Sequence, residues 1–156
     1  MSGDRQDRRT SVEIRGFAHR NPVPAGSRIG PFLASGTLTG RDPATGEIPE
    51  TLDEQAANMF GHVRELLLAA GGGTDDILTM TVRLAGYRDR AALNAQWEKM
   101  FPDPRTRPAR HVVTASLDRG QLIQCDLLAV LPPDDATPVD GGPGPHTRET
   151  KESEQP

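Results

Sequence analysis

The segment 110–117 (RHVVTASL) opens on Arg110, directly behind Pro108 and Ala109. A guanidinium is a planar fork that pairs bidentately with a carboxylate. The plainer role is that of a surface strand arginine in a rim ion pair. Gln124 lies in the last apolar segment. A glutamine hydrogen-bonds water but cannot take its proton as a general base. Its ordinary use is to bond a neighbouring strand. Cys125, the single cysteine, follows it. In an apolar strand a free cysteine usually serves as a small hydrophobe, not a nucleophile. Asn94 falls on a helical stretch, either lining a pocket or facing solvent. Ser35 and Gly36 end a strand before a TG-rich loop, where a glycine also serves a turn or bulge. His111 alternates to the face opposite Arg110. His19, His62, His111 and His146 show no metal-ligand spacing, and His19 has the character of a solvated loop residue. Gly71, Gly72 and Gly73 are not followed by Lys-Ser/Thr and make no phosphate loop. Trp97 belongs to a helix stripe and is expected in the core. The acid pairs Asp75-Asp76 and Asp134-Asp135 fit solvated turns.

These residues depend on a small set of elements. Val12, Ile14 and Phe17 give a weak strand signal over 11–18. The prolines of NPVPAG, 21–26, make a loop. Residues 27–36 (SRIGPFLASG) are expected as a second strand, and 39–50 as an ordered surface loop dense in turn formers. Thr51 and Glu54 have capping-box spacing. Ala56, Met59, Phe60, Val63, Leu66, Leu67 and Ala70 recur at helical intervals until the glycines at 71–73. Residues 77–84 (ILTMTVRL) alternate as a strand. Asp89 can cap a second helix with the stripe Ala92, Leu93, Trp97 and Met100. After an irregular proline-rich run, 110–117 and 121–131 are strands around a turn at 118–120. The order β-β-α-β-α-β-β implies one α+β domain, a mixed sheet with both helices on one face. The last strand, with Leu122, Ile123, Leu127, Leu128, Val130 and Leu131, is apolar in both registers. In so small a domain that argues for a partner on the other face.

Composition narrows the function classes. Of 156 residues, 35% are hydrophobic and 26% charged. The apolar deficit sits at the ends, so 1–10 and 132–156 are expected as disordered tails around a domain at 11–131. A net charge of −4 without a basic run gives no footprint for nucleic acid. No stretch nears the ~18 apolar residues that span a membrane, and the polar start lacks a signal peptide's apolar region. A single cysteine excludes an internal disulfide framework. A cytoplasmic location is the expectation.

Taken in order, the residues are distinctive from about 26 to 131. Ser35-Gly36 precedes a TG-rich loop. Gln55 opens a helix that ends in Ala70-Gly71, a TMTVRL strand follows, and Asn94 sits on the next helix. Phe101-Pro102 leads to Arg107-Pro108-Ala109-Arg110, and the close is Gln124-Cys125-Asp126-Leu127-Leu128-Ala129-Val130. This succession resembles the RidA (YjgF, reactive intermediate deaminase) family. The resemblance implies a chorismate-mutase-like fold and a homotrimer with a barrel-like centre, whose pockets lie between subunits. It also implies hydrolysis of enamines and imines such as 2-aminoacrylate to 2-oxo acids and ammonia, without metal or organic cofactor. Arg110 matches the arginine that holds the substrate carboxylate. Asn94, Ser35 and Gly36 match pocket-lining positions, and Val112 stands where the family has a cysteine. Gln124 stands where active members usually carry a water-directing glutamate. The family's early tyrosine has no counterpart, since the only tyrosine is Tyr87.

Two functions of different class are therefore carried forward. One is an imine or enamine deaminase acting on a small carboxylate-bearing metabolite, with Arg110 as anchor and Gln124 placing water. The other is a non-catalytic trimer that binds or senses a small acid, which Gln124 in place of glutamate favours. A ribonuclease role ranks third, because the chain is acidic and lacks a basic stripe.

Overall fold

The computed structural model describes residues 8–86 and 90–133. Seven strands form one mixed sheet: β1 (Arg9–Val12), β2 (Gly26–Ile29), β3 (Phe32–Ser35), β4 (Leu38–Thr39), β5 (Ile77–Leu84), β6 (Ala109–Thr114) and β7 (Ile123–Val130). The order across the sheet is β1-β2-β3-β7-β5-β6, with β4 continuing beside β7. Only β5 and β6 run parallel, joined by the crossover helix α2 (Arg90–Met100). Helix α1 (Leu52–Ala69) and a short 3-10 turn (Thr74–Asp76) link β4 to β5.

Each helix buries the stripe that its spacing predicts. Gln55, Ala56, Met59, Phe60, His62, Val63, Leu66 and Leu67 of α1 are buried, as are Leu93, Trp97 and Met100 of α2. They meet Leu33, Leu38, Met80, Val82, Ile123, Cys125 and Leu127 from one face of the sheet in a single core. The Thr51 hydroxyl accepts from the Glu54 N–H at 3.2 Å and caps α1. The last turn closes when Gly72 N–H donates to the Leu67 carbonyl, 2.8 Å, and Gly71 N–H to that of Leu68, 3.1 Å.

Four elements differ from the sequence expectation. The strand expected over 27–36 is a hairpin, β2 and β3, that turns at Gly30-Pro31. Gly30 has φ +56°, open to a residue without Cβ, and proline supplies no ladder donor. The first strand begins at Arg9, inside the expected tail, and stops at Val12 rather than Ala18. Beyond it only Ile14 and Phe17 bridge. Leu38–Thr39, at the edge of the expected loop, pairs with β7 as β4. Strands β6 and β7 are shorter than the 110–117 and 121–131 expected. Asp89, the expected cap of α2, and Tyr87 lie outside the described residues, as does the C-terminal stretch 134–156.

Among the described residues the second face of the sheet carries no helix. At one end it shows Ile29, Phe32, Leu78, Leu128 and Val130, of which Phe32 is 63% and Leu128 50% exposed. Strand β7 thus alternates cleanly: Ile123, Cys125, Leu127 and Ala129 inward, Gln124, Asp126, Leu128 and Val130 outward. At its other end this open face turns polar.

Candidate functional site

At the polar end, β4, β5 and β7 lie side by side, with Thr39 and Arg83 both in register with Gln124. Registered neighbours share a face, so these three side chains point out of the sheet together. The segment 17–23 and the β6–β7 loop wall them in. The result is a cavity of about 550 Å³ whose lining includes His19, Gly36, Thr39, Arg41, Arg83 and Gln124.

Gln124 is half-buried and donates through Nε2 to Gln121 Oε1 at 3.0 Å. Arg83 donates to Asp126 Oδ2 at 2.7 Å, so its charge already has a counter-ion. Arg41 is different. Its Nη1 donates to the Ala18 carbonyl at 3.2 Å, and its Nε is buried without a hydrogen-bond partner among the described residues. His19 Nε2, in the same cavity, is likewise buried and unpartnered.

Two buried residues of α1 hold these walls in place. Gln55 donates to the carbonyls of Pro49, 2.7 Å, and Gly120, 2.9 Å, and accepts from Leu122 N–H at 2.8 Å. One amide thereby ties the β6–β7 loop to the helix. It lies so close to the chain at Gly40 that a Cβ there would come within 2.5 Å of Gln55. His62 sits 2.7 Å from the Arg41 carbonyl and packs on Phe17, ring centroids 4.8 Å apart. A carbonyl only accepts, so Nε2 donates. Burial pushes the His62 pKa below its usual value, which favours the neutral ring.

Arg110 is elsewhere. It lies on β6, the edge strand, in register with Met80 and so on the helix side of the sheet. Its guanidinium carbon is 4.9 Å from the centre of the Trp97 ring. Desolvation, with Arg90 nearby as a lesser cause, lowers its pKa. Among the described residues no carboxylate pairs with it. Asn94 is half-buried one helical turn ahead of Trp97, on the same side. Val112 packs partly against the core.

The residues singled out from sequence therefore fall into two groups. Gln124 and Gly36 share the open-face cavity, while Arg110, Val112 and Asn94 are on the helix side. Ser35 belongs to neither. Its hydroxyl accepts from Leu127 N–H at 2.9 Å, where the β3–β7 ladder gives way to β4. His111 is exposed on the face opposite Arg110. Cys125 is wholly buried in the core, and desolvation raises its pKa far above the usual thiol range. Sequence reasoning missed Arg41 because it sits in a run of turn formers without periodicity, and Arg83 because it reads as the polar half of an alternating strand. Among the described residues no three of His, Cys, Asp and Glu converge as metal ligands, and no helix is long and apolar enough to cross a membrane.

Comparison with known proteins covers the chain from β2 through β7. Residues 24–131 match the family model described as Endoribonuclease L-PSP. The chain is 31% identical over 111 residues to the 2-iminobutanoate/2-iminopropanoate deaminase of Escherichia coli, covering 70% of this chain and 87% of that protein. It is 28% identical over 120 residues to a RutC family protein of Pyrococcus abyssi, covering 72% and 93%. Among solved structures, the yjgF gene product of E. coli superposes with a TM-score of 0.72 at 27% identity, over 78% of this chain and 98% of that one. E. coli TdcF with bound serine gives 0.73 at 26% identity, over 79% and 99%.

Proposed function

Since the chain belongs to the endoribonuclease L-PSP family, the group that includes RidA and YjgF, we propose that it hydrolyses imines or enamines of small carboxylate-bearing metabolites. Water adds to the imine carbon, a carbinolamine forms, and its C–N bond breaks to leave a 2-oxo acid and ammonia. The observation that carries this is Arg110: a partly desolvated guanidinium at a sheet edge, stacked on Trp97 and, among the described residues, without an acid partner. Such a group is poised for a carboxylate, since a charge-assisted hydrogen bond contributes about 1.5–3 kcal/mol and a bidentate pair makes two.

Gln124 places the water. It does not remove a proton from it, so the contribution is positioning. In one chain, however, Arg110 and Gln124 are on opposite faces of the sheet. The proposed solution is a homotrimer in which the β6 edge of one subunit meets the open face of the next, so that Arg110 closes the neighbour's cavity. Three features support it: the edge position of β6, the bare apolar end of the open face, and the cavity beside it. A cytoplasmic setting belongs to the same proposal.

The direct test feeds the protein 2-aminoacrylate, made in situ by a serine or threonine dehydratase, and follows ammonia. Release above the spontaneous rate is expected, with Arg110→Met lowering kcat/KM at least ~100-fold through loss of a bidentate charge-assisted pair. A rate equal to the spontaneous one across several amino-acid precursors removes the deaminase claim. A second reading, a small-acid binder, is favoured by the neutral Gln124. If Gln124→Glu creates activity that the wild type lacks, the binder is right.

A further inference from the structure

We infer that the open-face cavity contains a second acid-binding subsite, built by Arg41 and His19, and that the substrates are imines of acidic amino acids. This rests on the deaminase reading of the same site and narrows its substrate class.

The argument starts from unused hydrogen-bonding capacity. A buried polar atom without a partner costs about 1–3 kcal/mol, so native structures hold few of them and each asks for a reason. Among the described residues there are two such side-chain atoms, His19 Nε2 and Arg41 Nε, and both residues line this cavity. Among the described residues only one donor of the Arg41 guanidinium has a partner, the Ala18 carbonyl. That leaves the Nε–H edge, the side from which a guanidinium engages both oxygens of a carboxylate.

Charge favours the same ligand. The lining includes Arg20, Arg41 and Arg83 against one acid, Asp118. Arg83 is matched by Asp126, which leaves Arg41 as the cation inside the walls, with Arg20 and Asp118 both exposed. Its backbone carbonyl is fixed by His62 through a 2.7 Å hydrogen bond, and its guanidinium is tethered to the Ala18 carbonyl at 3.2 Å. Gly36 lies on the His19 side of this cavity, where an added Cβ would sit in contact with His19 Nε2 at 3.6 Å.

A substrate with one carboxylate needs one guanidinium. In the proposed assembly Arg110 supplies it from the neighbour. Arg41 is then surplus to a neutral side chain and matched to an acidic one. The α-carboxylate binds Arg110, water attacks the imine carbon near Gln124, and the side-chain acid reaches Arg41 and His19. Apolar side chains would leave both nitrogens desolvated and unpaired, which is how a buried polar site rejects them.

The experiment compares imines generated in situ by amino-acid oxidases: those of aspartate and glutamate against those of alanine and leucine, with loss of imine and release of ammonia followed. The expected kcat/KM is at least tenfold higher on one of the acidic imines. Arg41→Met is expected to lower the acidic-to-neutral ratio at least tenfold and Arg41→Lys to lower it less, with circular dichroism confirming the fold. Hydrolysis of neutral imines without preference for acidic ones overturns the subsite and leaves the deaminase reading standing. Acceleration of no imine ends that reading, and calorimetry then decides the subsite. Succinate binding at least tenfold tighter than propionate in the wild type, with that preference lost in Arg41→Met, upholds it, and equal binding overturns it.

Discussion

Two residues with chemical potential, Cys125 and His62, are sealed into structure, and each makes a measurable claim. Cys125 is buried on the helix side of β7, and its raised pKa keeps it a thiol. Native protein should react with a chromogenic disulfide no faster than it unfolds, whereas denatured protein should react at once. Fast labelling of the native state would refute the burial. His62 links stability to pH. Its folded-state pKa lies below the ordinary 6.5, so the folded state favours the neutral ring. Its contribution is complete above about pH 6.5 and declines as pH falls from there towards the lowered folded-state value, by at most about 1.4 kcal/mol per pH unit. Thermal melts between pH 7.5 and 5 should show this decline. His62→Gln, whose amide can still donate to Arg41, should flatten it.

At the scale of elements, Gln55 connects α1 to the loop that walls the cavity. Gln55→Ala leaves the Pro49 and Gly120 carbonyls and the Leu122 N–H without partners. A loss of about 2–5 kcal/mol is expected from denaturant melts, with the 115–121 loop exchanging its amides faster than β7. Much of this level was legible in the sequence. The stripe from Ala56 to Leu67 named the buried face of α1, and the alternation of ILTMTVRL named β5, because helix and strand periods depend only on which residues avoid water. The hairpin at Gly30-Pro31 was not legible. Apolar Ile29, Phe32 and Leu33 bracket the turn and read as one run. The site was legible only in part. Arg110 and Gln124 stood out as residue types in a recognisable order, but their placement on opposite faces follows from the parallel β5–β6 pairing, which no local pattern states. Arg41 owes its interest to an unpartnered Nε in the cavity wall, which no sequence pattern marks.

For the whole molecule the open sheet face sets the expectation. Phe32, Leu128 and Val130 form an apolar area in contact with water in a single chain, and symmetric closure would cover it. Size exclusion with light scattering should give a trimer at micromolar concentration rather than a 16.8 kDa monomer. Leu128→Arg places a charge on that face, and a buried unpaired charge costs several kcal/mol. The variant should be monomeric, folded by circular dichroism, and inactive in the imine assays, because its cavity then lacks the neighbour's Arg110. A monomeric wild type would end the shared-pocket mechanism.

The placement of Arg110 and Gln124 on opposite faces of one sheet also has a genetic meaning. In the proposed trimer each subunit would give its arginine to one cleft and its cavity to another, so a subunit defective in one part would still be a competent donor of the other. Two copies of the gene, one encoding Arg110→Met and one Gln124→Leu, would each be null alone yet complement when expressed together. With random assembly about a quarter of the clefts draw both halves from intact donors, and mixed trimers should recover roughly that share of wild-type hydrolysis.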